Sequence, residues 1–153
     1  MHLLAEESID IQCPIEAAYA YTCDLRNFGQ WFPGVIEIIA KDDLDLTSIG
    51  KSYLETVSVP LRGKRKVRIV VKEASTSSLF VTEGSLRPLL PRMEIRFSAL
   101  GATACRVNWR MYNLSRSALV RAVLLPLASY VMGGRAKRAM KSLQLVLEAQ
   151  RAA

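Results

Sequence analysis

Two carboxylates interrupt apolar runs of the chain. Glu55 falls between Tyr53 and Val57, and Glu83 follows Leu79 and Val81 at the same alternate spacing. On a strand that spacing puts each set on one face, so both acids are expected to point inward with their apolar neighbours. A carboxyl held in an apolar hollow resists ionisation and can serve as an acid, a base or a hydrogen-bond partner for a bound molecule. The alternative is a strand-end carboxylate in water or paired with an arginine.

Little else competes for chemistry. The only histidine is His2, and Cys13, Cys23 and Cys105 share no short spacing. That excludes C-x-x-C redox chemistry and leaves too few soft ligands for a zinc site; the cysteines read as free buried thiols. There is no Gly-rich phosphate loop, no G-x-S-x-G and no H-E-x-x-H, so nucleotide, serine-hydrolase and metalloprotease chemistries lack their residues. No metal and no cofactor is expected, and any proton transfer falls to a carboxylate, tyrosine, lysine or thiol.

The elements that position the two acids follow from periodicity. With 153 residues, half of them apolar and 23% charged, the chain fits one globular domain spanning 1–153. Ile9 and Ile11 alternate with polar residues in a short strand over 7–12, and Pro14 suits the first turn of a helix carrying Ile15, Ala18, Tyr19 and Thr22. Asp24 can cap a second short helix to Trp31, before Pro33-Gly34. From Val35 to Tyr112 the period is two, and turn residues divide it into strands over 35–41, 51–59, 65–73, 78–84, 92–99 and 104–112. A last helix runs from a Ser115 cap to about Gln150, with an irregularity expected near Pro126 or Gly133-Gly134. Its second half is amphipathic and its first half is apolar nearly all round.

Strand, two short helices, six strands and a long C-terminal helix is the order of the helix-grip fold, an α+β architecture. The segments Ile11-Gln12-Cys13-Pro14-Ile15-Glu16-Ala17-Ala18-Tyr19 and Asp24-Leu25-Arg26-Asn27-Phe28-Gly29-Gln30-Trp31-Phe32-Pro33-Gly34 resemble the opening of the polyketide cyclase/dehydrase and lipid-transport branch of the START and Bet v 1-like (SRPBCC) superfamily. The resemblance implies a curved antiparallel sheet of about seven strands gripping the last helix, with a cavity between them for a hydrophobic or amphipathic ligand. It carries over no catalytic residue. Members range from lipid carriers to cyclases, so the expected function is binding or transport of a lipid, isoprenoid, quinone or polyketide-like molecule. The alternative is a cyclase or dehydratase that uses Glu83 or Glu55 as acid or base.

Strand phase then nominates the cavity walls: Tyr53, Glu55, Val67, Ile69, Val81, Glu83, Met93, Ile95, Phe97, Trp109 and Met111, with Val123 and Leu127 from the helix. The competing expectation is that these residues simply fill a core.

Hairpin topology brings three loops to one end, each mixing leucine with cations: Leu61 beside Arg62, Lys64 and Arg65; Leu89 and Leu90 beside Arg87; and Leu114 beside Arg116. With a formal net charge of +7, these tips suit an anionic membrane surface, and an acidic acyl carrier protein is a further partner of the same charge logic. The leucines could instead fold back as a plug. Nucleic acid is the weaker account, because no aromatic residues are interleaved with the basic ones. The N-terminus lacks the pattern of a secretory signal, so the chain is expected to be cytoplasmic, with peripheral contact to membrane through these loops.

Overall fold

In the computed structural model, which describes residues 1–152, seven strands form one antiparallel sheet. They are β1 (His2–Ile11), β2 (Val35–Ala40), β3 (Ser52–Val59), β4 (Gly63–Ser75), β5 (Leu79–Gly84), β6 (Pro91–Gly101) and β7 (Ala104–Asn113). The order is β1-β7-β6-β5-β4-β3-β2, so five consecutive hairpins make a meander and β1 closes it beside β7. Between β1 and β2 lie α1 (Ile15–Thr22), a 3-10 turn (Leu25–Asn27) and α2 (Phe28–Trp31). The helix-grip architecture is completed by α3 (Leu125–Ala152), preceded by a π turn over Val120–Leu124.

The first strand is longer than its alternation suggested, because it pairs along β7 from His2 opposite Asn113 to Ile11 opposite Cys105. Asp24 does cap: its carboxylate accepts from the Arg26 N–H at 3.1 Å, although the turn that follows is 3-10 before it becomes α-helical. At the last helix the cap lies later than Ser115, with the Val120 N–H reaching the Ser117 hydroxyl at 3.4 Å. The helix continues through Gly133-Gly134 unbroken. Its irregularity precedes Pro126 instead, where the Leu125 N–H reaches back to the Val120 carbonyl, five residues away. Proline has no N–H to continue the α ladder, and a π turn is one way to accommodate the mismatch.

The packed core sits under the second half of α3. Ala136, Ala139, Met140, Leu143 and Leu147 bury against the inner sheet face and the short helices. Phe32 lies on Trp109 with ring centroids 5.2 Å apart, and Tyr19 meets Phe97 edge-on at 5.2 Å. The far end of α3 is tied to β1, where the Gln144 side chain donates to the Asp10 carbonyl at 2.9 Å.

Candidate functional site

Toward the other end of α3 the packing opens. An outer lobe of about 210 Å³ and an inner lobe of about 100 Å³ share Val57, Leu86, Pro91, Met111, Met132 and Arg135 in their walls, so the two adjoin, and these residues bound the neck between them. The inner lobe is walled by Val67, Ile69 and Met93 from the sheet and by Leu25, Phe28 and Phe32 from the short helices. The outer lobe is bounded by Leu124, Leu127, Ala128 and Val131 on the helix side and by the β3–β4 and β5–β6 loops.

Glu55 lies in the inner lobe, only 8% exposed. Its phase follows Tyr53 and Val57, and its register opposite Val67 on β4 keeps it on the concave face. Burial pushes its carboxyl up to about 7 against the ordinary 4.5, partly offset by the Arg135 charge. Arg135 reaches the hollow from α3; its Nη2 donates to the Ser58 carbonyl at 2.9 Å, and burial holds the guanidinium below its usual value, with the Arg138 charge adding to that effect. Thr82 is the remaining polar side chain of the inner lobe.

Glu83 is elsewhere. In β5 the inward residues are Phe80 and Thr82, opposite Ile95 and Met93 of β6, so Leu79, Val81 and Glu83 face outward. Glu83 accepts from Arg92 Nη1 at 2.9 Å, within an outer-face network in which Arg92 Nε also reaches Glu94 at 3.1 Å. This is the arginine-paired alternative, and it removes Glu83 from the candidate acids. Val81 is buried on that outer face, paired in register with Glu94.

Of the other nominated walls, Glu55, Val67, Ile69, Met93, Met111 and Leu127 come together around the hollow. Tyr53, Ile95, Phe97 and Trp109 are buried but belong to the packed core; the Tyr53 hydroxyl is occupied with the Leu46 carbonyl at 3.0 Å. Val123 points to solvent, 61% exposed. Missed by sequence reasoning were Arg135, Thr82, Pro91 and Met132.

The loops converge on the mouth. Arg62, Arg65, Arg87 and Leu89 line the outer lobe. Leu61 is 98% exposed, with Lys64 exposed near it. Leu89 folds partly back onto Leu4, Val120 and Leu125, and Leu90 is half-buried, as the plug alternative required of them. Arg116 is exposed outside the lining. Buried Asn113 holds this end together: its Oδ1 accepts from the Leu90 N–H at 3.0 Å and the Ser115 N–H at 3.2 Å. Among the described residues, no helix is long and apolar enough to cross a membrane.

The same fold, a sheet gripping a long C-terminal helix, is what comparison with known proteins returns. The family model for polyketide cyclase / dehydrase and lipid transport matches residues 2–148, and the chain belongs to that family. Its fold matches a START superfamily protein from Mycobacterium smegmatis with TM-score 0.75 at 10% identity, over 98% of this chain and 99% of that one. It also matches a protein from Thermus thermophilus with TM-score 0.75 at 14% identity, over 95% and 97% of the two chains. The Zhui aromatase/cyclase from a Streptomyces species aligns with TM-score 0.69 at 10% identity, over 95% and 91%. No curated protein matches in sequence.

Proposed function

We propose that the chain binds a hydrophobic or amphipathic small molecule, of lipid, isoprenoid, quinone or polyketide-like type, in the hollow between the sheet and α3, and carries it untransformed. The observation that supports this is the lining: apolar side chains throughout, relieved only by Ser58, Thr82, Glu55 and the arginines. Apolar burial then supplies affinity at about 25 cal/mol per Å², and the few polar groups fix orientation. Native mass spectrometry of freshly purified protein and titration with the neutral dye Nile red test it. Ala128→Trp, which fills the outer lobe from α3, should abolish dye binding while leaving the circular dichroism unchanged. A protein that takes up no dye, or binds it equally well with the lobe filled, refutes the reading.

A second reading, acid–base catalysis of a cyclase or dehydratase at Glu55, draws on the position of its carboxyl near neutrality. The lining contains no tyrosine, lysine or histidine to move a second proton, and this favours carriage.

The mouth supports collection of the ligand at an anionic membrane. Leu119, Val123, Leu127 and Tyr130 are 73%, 61%, 51% and 83% exposed and recur at helical spacing, and Leu61 of the β3–β4 loop is 98% exposed as well. No acidic residue occurs in 56–72, 84–93 or 114–147, so Arg62, Lys64, Arg65, Arg87, Arg116 and Arg121 face no competing carboxylate in those segments. Each cation near anionic lipid contributes about 1 kcal/mol. Sedimentation with phosphatidylcholine vesicles, with and without phosphatidylserine, should show binding only with the anionic lipid and loss of it with salt; indifference to both rules the membrane out.

A further inference from the structure

We propose that the neck of the hollow is a carboxylate subsite, in which Arg135 takes the anionic head of an amphipathic monocarboxylic acid while its apolar tail lies along the outer lobe. This rests on the cavity reading above and narrows it to one ligand chemistry.

Arg135 is anchored in place. Its Nη2 is held on the Ser58 carbonyl at 2.9 Å, and the guanidinium passes Gly34, whose carbonyl accepts from the Ser58 N–H, so closely that a Cβ there would lie 2.5 Å from Nη1. Held by that bond in the space that Gly34 leaves, the group borders both lobes, where a long cationic side chain ordinarily extends to water. Among the described residues it forms no ion pair, and neither does Glu55. A half-buried cation without a counter-charge is costly, and a planar guanidinium with unused N–H groups matches a carboxylate in both charge and shape.

The rest of the lining agrees in sign. Arg62, Arg65 and Arg87 border the outer lobe, and among the described residues Glu55 is the sole carboxyl lining either lobe. A neutral ligand would leave Arg135 uncompensated, and a cationic one would be repelled along the entire path inward. Glu55 does not oppose the anion, since its protonated form can donate to the same head. Among the described residues, the only other ionisable group from the surrounding elements in the inner lobe is Arg135 itself; α1, α2, β2, β4, β5, β6 and β7 contribute none. An anion bound at the neck therefore favours protonated Glu55, and binding should take up a fraction of a proton near neutrality.

The test is calorimetric titration of the whole protein at pH 7 with decanoate and with 1-decanol, in phosphate and in Tris, whose ionisation enthalpies differ. Decanoate should bind at least about tenfold more tightly, the effect of one charge-assisted pair, and only decanoate should show proton uptake. Arg135→Met should bring acid and alcohol to similar affinity by weakening the acid, and Glu55→Gln should abolish the uptake. Equal wild-type affinities for the two probes refute the subsite and leave the cavity standing, as does a preference for the acid that survives Arg135→Met. If neither probe binds, both readings fall. The wild-type comparison decides the matter even if Arg135→Met does not fold.

Discussion

Replacing Glu55 by glutamine should stabilise the protein in alkali and not in acid. The carboxyl is pushed up to about 7 from an ordinary 4.5, chiefly because burial penalises its charged form. Between those values the folded protein holds a proton that the unfolded chain releases, so wild-type stability falls as pH rises through the window and levels off above it. At about 1.4 kcal/mol per pH unit, the separation corresponds to about 3 kcal/mol. Glutamine keeps the shape and removes the titration. Any cost of burying its amide is the same at every pH, so it cancels when the wild-type-to-variant difference at pH 4 is compared with that at pH 9. Urea denaturation at the two pH values measures both differences; in thermal melts each kcal/mol is worth about 2–4 °C for a chain of this size. The variant should gain about 3 kcal/mol on the wild type between pH 4 and pH 9. A difference that changes by less than about 1 kcal/mol would mean that Glu55 is hydrated or paired in solution, and the hollow would lose its buried acid.

Glu83→Gln removes one of several carboxylates around Arg92 on the outer face. It should cost less than about 1 kcal/mol and leave Nile red affinity unchanged; altered affinity would return Glu83 to the cavity. Gly34 has a φ of +89° and sits under the Arg135 guanidinium, so Gly34→Ala should destabilise by about 1 kcal/mol or more and weaken decanoate more than 1-decanol. An equal effect on both ligands would show that the Gly34 contact does not position the arginine.

The architecture was legible because its signals are strong and local. β6 and β7 alternate cleanly, with Met93, Ile95, Phe97, Val107 and Trp109 on one face and arginines on the other, and the Pro14 and Asp24 starts mark the short helices. β5 misled for a physical reason. Both its faces carry apolar residues, because Val81 is buried on the outer side among the charged residues of β6 and β4, and aliphatic stems can cover such a site. Hydrophobicity alone then cannot choose the phase, and the irregularity between Val71 and Glu73 in β4 breaks the register that could have carried it over from the neighbouring strand. Arg135 was illegible for a different reason. By type it is one of four cations between Arg135 and Lys141, and what distinguishes it is Gly34, about a hundred residues earlier, whose missing Cβ leaves room for the guanidinium. Trp109 and Phe97 were assigned to the right face, but sequence phase does not reveal that Phe32 and Tyr19 already cover them.

That same packing explains why the hollow lies at one end. Where the second half of α3 meets the sheet, small Ala136 and Ala139 let the helix approach closely, and the aromatic pairs fill the remaining space. Toward the β3–β4 and β5–β6 loops, Leu124, Leu127, Ala128 and Val131 face Val57, Leu86 and Pro91, side chains too short to meet across the gap. The exposed apolar residues of the π turn and first turns of α3 belong to this underfilled end as well. A guest larger than the hollow therefore has one inexpensive way in, by displacing half-buried Leu89 in the outer lobe and Met132 at the neck. Opening the sealed aromatic end would forfeit burial worth about 25 cal/mol per Å² over several large side chains. The rim proposed to meet a membrane and the walls proposed to meet the ligand thus belong to the same incompletely packed end, beneath the first half of α3.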